Sequence, residues 1–104
     1  MDRPRLYIDT NEEINWGLYL LSKDDIKQDS SGRSVVLHAG DVVDVYMDET
    51  GDDGRPDNLI ASGTVERNID PRWSHVKWCF RINGAGFMNE SESQGDRPKE
   101  QPRK

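Results

Sequence analysis

Residues 76–83, VKWCFRIN, alternate along their whole length: Val76, Trp78, Phe80 and Ile82 on one side, Lys77, Cys79 and Arg81 on the other. A period of two predicts a strand whose apolar side faces a core. The same alternation in DVVDVYMDE (41–49) puts Val43, Val45 and Met47 on one face and Asp44, Tyr46 and Asp48 on the other. In LIASGTVER (59–67), Leu59, Ala61, Gly63 and Val65 point one way. Gly63 has nothing to pack, which predicts a bulge or a bend where the strand turns a corner. TGDDGRPDN (50–58) carries the glycine, proline and aspartate signature of a loop. The three segments therefore predict an antiparallel meander.

Upstream the pattern is less regular. RLYID (5–9) alternates and predicts a short first strand. INWGLYLL is apolar almost continuously, so period alone does not assign it, and it is read as a buried strand at 15–21. The capping-box spacing of Thr10 and Glu13 allows one helical turn before it. Ser22 to Asp25 repeats that spacing ahead of Ile26 and predicts one or two helical turns at 23–28, while SVVLH (34–38) predicts a further short strand.

Five to six short strands point to an all-β fold, and exposed edges favour partial closure. The expectation is a small bent antiparallel sheet or partly closed barrel with one short helical turn. The run LHAGDVVDVYMD…LIASGTVERN resembles the middle of a Src-homology-type or tudor-like small barrel, in which a glycine turn precedes a long bent strand. That resemblance implies an SH3-like barrel as the nearest architecture.

Composition changes this picture in three ways. With 104 residues the chain has room for one core, and its 33% apolar and 33% charged content suggests that part of it does not fold. NESESQGDRPKEQPRK (89–104) contains no aliphatic or aromatic side chain, which predicts a disordered polar tail after a single domain at 1–88. The tail's acids (Glu90, Glu92, Asp96, Glu100) cancel its bases (Arg97, Lys99, Arg103, Lys104), so the net charge of −6 belongs to the body. An acidic body repels phosphates at long range and weighs against nucleic acid as a partner. No stretch approaches the roughly 18 apolar residues of a membrane span, MDRPRLYIDT lacks the apolar run of a signal peptide, and Cys79 is the only cysteine. The expected location is the cytoplasm, with no membrane contact.

Candidate chemistry is sparse. The acids Asp48, Glu49, Asp52, Asp53 and Asp57 invite a calcium-loop reading. Starting that template at Asp48 places Asp53 where glycine belongs and Leu59 where the bidentate glutamate belongs; starting at Glu49 leaves Gly51 and Ile60 at ligand positions. His75 and Cys79 lie ~13 Å apart along a strand, too far to share a metal or a proton. A pairing of Cys79 with His38 needs two distant strands to be neighbours. With no phosphate loop, Cys-x-x-Cys pair or nucleophile elbow, the sequence predicts no catalytic residue, no metal ligand and no cofactor.

What remains is a surface. Arg72, Trp73, Lys77 and Arg81 are the candidate partner-binding residues, set against the acids Asp44 and Asp48, with a Glu66–Lys77 cross-strand pair expected between them. The function this suggests is a non-enzymatic module that binds another protein, such as an inhibitor, an immunity-type antidote or an assembly accessory. The alternative is a single-stranded nucleic-acid-binding barrel that uses the same four residues as a stacking and phosphate strip.

Overall fold

A computed structural model describes residues 3–95. The strands are β1 (Leu6–Tyr7), β2 (Glu13–Asn15), β3 (Leu18–Ser22), β4 (Ile26–Gln28), β5 (Ser34–Val36), β6 (Val42–Met47), β7 (Leu59–Arg67), β8 (Trp78–Ile82) and β9 (Met88–Asn89). One curled half-barrel sheet runs in the order β1-β6-β7-β8-β3-β2, with β9 paired to the start of β7; β4 and β5 form a separate ribbon. The expected meander is β6-β7-β8, antiparallel throughout, with Val45 opposite Ala61 and Val65 opposite Phe80. β1 departs from the antiparallel expectation, since it pairs with β6 in parallel, Leu6 beside Val45.

The concave side holds the main core: Leu6, Ile8, Tyr19, Leu21, Leu37, Val45, Ala61, Val65, Trp78 and Phe80. Burial of this apolar surface is the main favourable term for a chain this small. The ribbon closes over the core through Val35 and the fully buried Leu37. The bulge expected at Gly63 is not found: its register with β6 and β8 is unbroken, and the glycine serves close packing instead. A Cβ there would collide with the carbonyl oxygen of Arg81 and come within 2.7 Å of the Phe80 ring, so the missing side chain lets β8 pack closely beside β7.

Several expectations are corrected. The single buried strand at 15–21 is a hairpin, β2 turning into β3 at Trp16-Gly17, where Gly17 adopts a φ of 64° and donates its amide to the Glu13 carboxylate at 2.8 Å. A positive φ suits glycine, and the continuous apolar run concealed the turn. The turn before it is a 3-10 turn at Thr10–Glu12, capped by Asp9 rather than Thr10, and the Thr10 amide and hydroxyl face the sulfur of Met47 instead. Residues 23–28 are not helical. The Ser22 hydroxyl donates to the Asp24 carbonyl and accepts from the Asp24 amide, closing a local turn, after which Ile26 pairs with Val36 in the ribbon.

The expected tail at 89–104 overlaps the described residues at 89–95, where Asn89 ends β9 and Glu90–Gly95 form a short helix, α1. Asp57 anchors its start by accepting from the Ser91 amide (2.9 Å) and hydroxyl (2.7 Å). Residues 96–104 lie outside the described part.

Candidate functional site

Strand alternation sends Trp78 and Phe80 into the main core and Cys79 to the opposite, outer face of the sheet. That face has a small apolar cluster of its own: Leu20, Val76 and Cys79 are buried, and Ile14, Leu18 and Trp73 pack half-covered around them. Cross-strand register explains the grouping, with Leu20 opposite Cys79 and Leu18 opposite Arg81. Val76 was expected beside Trp78 and Phe80. It precedes β8, in a turn where its amide bonds to the Trp73 carbonyl (2.9 Å), so strand parity does not reach it and it joins the outer cluster.

Burial pushes the Cys79 thiol up to about 11, with the Glu66 charge adding to the effect, so the group is a packed apolar side chain and a poor nucleophile. His38 stands elsewhere, exposed and 3.3 Å from Asp41.

Two side chains, Asn68 and Asp70, organise the connection between β7 and β8. The Asn68 amide nitrogen donates to the carbonyls of Trp73 (2.8 Å) and Val76 (2.9 Å), and its oxygen accepts from the Asp70 amide. Asp70 caps the 3-10 turn Pro71–Trp73 and accepts a fork of hydrogen bonds from the Arg72 guanidinium, the shortest at 2.6 Å. Trp73 is thereby fixed against the outer cluster, 6.2 Å from the His75 ring.

The three candidate bases each have a carboxylate partner. Arg72 is bound to Asp70, Lys77 reaches Asp25 at 2.6 Å, and Arg81 contacts Glu66 at 3.1 Å. The expected Glu66–Lys77 pair is therefore replaced by Glu66–Arg81. Glu66 lies opposite Cys79, one step from Arg81 on the same face, whereas Lys77 lies before β8 and turns to Asp25. Asp25 also accepts from the Trp78 indole, and these two hydrogen bonds, that of Lys77 first, hold its carboxyl below the usual range. Arg67 and Lys77 both lie over the Trp78 ring, at 5.8 and 5.7 Å, within cation–π reach.

The structure thus gathers Arg72, Trp73 and Lys77 at the β7–β8 connection and sets Arg81 within β8, about 13 Å of extended strand beyond Lys77. There Arg81 donates to the Trp16 carbonyl at 2.6 Å, tying β8 to the tip of the β2–β3 hairpin. Trp16 is 90% exposed. Sequence reasoning placed it inside a buried strand, although Asn15 and Gly17 on either side of it are turn residues that could have marked the tip. No known protein family, curated protein or solved structure matches the chain, so the chemistry of this face is read from its own residues.

Proposed function

We propose that this chain is a non-enzymatic protein-binding module of the cytoplasm that docks its partner on the outer face of the sheet, between Trp16 at the hairpin tip and Trp73 at the β7–β8 connection. The observation that carries this reading is the 90% exposure of Trp16, whose carbonyl Arg81 ties to β8, on a sheet that also holds Trp73 half-covered. Trp16 projects into solvent, and Ile14, Leu18 and Trp73 are themselves left partly exposed where they cover the buried cluster of Leu20, Val76 and Cys79. Exposed and half-covered tryptophans near partly exposed apolar side chains are the composition of an interaction hot spot.

The nucleic-acid alternative draws less support, because Arg72, Lys77 and Arg81 are each engaged by an acid and the body is acidic overall. A phosphate would have to displace those carboxylates. No helix among the described residues is long and apolar enough to cross a membrane.

The test is affinity capture with the full chain from its native host, followed by purified binding of each captured protein to Trp16→Ala and Trp73→Ala. Trp16→Ala is expected to leave the melting temperature unchanged and weaken binding by about 2 kcal/mol or more. Binding that ignores both substitutions overturns the reading. So does submicromolar binding of a single-stranded oligonucleotide in physiological salt that Trp73→Ala abolishes.

A further inference from the structure

Beside the Trp73 end of the face, a cleft of about 500 Å³ opens between the β7–β8 connection and Lys23 of the β3–β4 turn. Three cations line it, Lys23, Arg67 and Lys77, against a single carboxylate, Asp70. Asp70 is already bound to Arg72, so it does not answer the cations across the cleft. Asp25 takes one direction of the Lys77 ammonium, which has three donors. Among the described residues, neither Lys23 nor Arg67 has a carboxylate within ion-pair distance, although the Asp25 charge also acts on Arg67. Arg67 instead lies over the Trp78 ring, its guanidinium carbon 5.8 Å from the ring centre. Ile69, 91% exposed, and Pro71 supply an apolar rim.

On a chain with a net charge of −6 this is a local reversal of sign. We infer that the cleft receives an acidic side chain, Asp or Glu, from an extended segment of the partner protein, with a neighbouring apolar residue of that segment seated on Ile69. The inference rests on the protein-binding reading and names the partner's chemistry. Charge complementarity selects the acid, and the planar Arg67 fork matches a carboxylate. The apolar rim selects a peptide over a polynucleotide. A nucleic acid brings a charge with every residue into the field of an acidic body, whereas a peptide needs only one or two, placed where the cations are.

The test uses random peptides displayed on phage and selected on the immobilised full chain, then synthesised and titrated against wild type, Lys23→Glu and the double variant Lys23→Gln/Arg67→Gln. The expected result is enrichment of Asp or Glu next to an apolar residue, chemical-shift changes at the amides of Lys23, Arg67 and Lys77, and affinity weakened roughly tenfold or more by the double variant. Lys23 is exposed, so Lys23→Glu guards against a folding defect in the double variant and is expected to weaken binding in the same direction. A selection that enriches no sequence, or none with acids, overturns the inference, as does undiminished binding to both variants. Displacement of the peptides by an equal concentration of oligothymidine assigns the cleft to phosphate chains and overturns it too. A partner captured from the host that binds Lys23→Glu and the double variant as well as wild type removes this inference while leaving the docking face between the tryptophans standing.

Discussion

Gly63 and Cys79 show how tightly β7, β8 and β3 are packed. A methyl group at position 63 has no room, because the Arg81 carbonyl is backbone and the Phe80 ring, fully buried, is locked by the core on its other side. Gly63→Ala is therefore expected to cost about 1–3 kcal/mol net in urea denaturation, as overpacking does, because the clash outweighs the smaller gain from the stiffer unfolded chain. At Cys79 the effect is chemical. A thiol raised to about 11 carries little thiolate at pH 9, and it is fully covered on the outer face. Alkylation by iodoacetamide at pH 9 should be slower than that of free cysteine by at least about tenfold in the native protein, and should recover in denaturant. Rapid native labelling would mean that the outer cluster opens readily.

Among the elements, the turn between β3 and β4 is joined to the main sheet by charge as well as by packing. Asp25 accepts from Lys77 and from the Trp78 indole, fastening the start of β8 to that turn. Its carboxyl pKa is lowered in the folded state, so the stabilisation it provides is present above the ordinary carboxyl value of 3.8 and is lost as pH falls through the lower folded value. Asp25→Asn should lower the melting temperature at neutral pH, and the gap to wild type should close in acid; a gap that persists in strong acid would assign the effect to packing. The central strands were the legible part of the fold. β6, β7 and β8 each alternate for five or more residues, and a one-residue slip would turn every buried side chain outward, which makes such strands easy to read. The hairpin at 13–22 and the strand at 26–28 were not legible, for local reasons. Continuous apolar residues hide a turn, and Ser22 to Asp25 has the letters of a helix cap but spends its hydroxyl on a tight turn. The site divided in the same way. Trp73 and Arg72 lie in a connection, as expected, because Pro71 and Asn68 mark a loop, while the exposure of Trp16 was missed because its turn was missed.

For the molecule as a whole, the charge separation expected between Lys77 with Arg81 and Asp44 with Asp48 takes a finer grain. Arg3 lies 3.3 Å from Asp44, and the bases of β8 have their own acids, so opposite charges are paired locally on both sides of the sheet. Such exposed pairs contribute about 0–1 kcal/mol each to stability and are screened by salt. Raising the salt concentration should accordingly change the melting temperature little, yet slow association with an acidic partner segment at the Lys23–Arg67 cleft. A large loss of thermal stability in high salt would show that the pairs hold the fold.

The three tryptophans sit in three different surroundings: Trp16 in water, Trp73 half-covered on the outer cluster, and Trp78 in the core beneath two cations. Their fluorescence therefore divides the molecule into zones without any added dye. In the free protein, iodide should quench the red-shifted emission of Trp16 first and leave that of Trp78 untouched until unfolding. A partner that covers the hairpin tip should shift the emission to the blue and shield it from iodide, and in Trp16→Phe that response should vanish while the core signal stays the same.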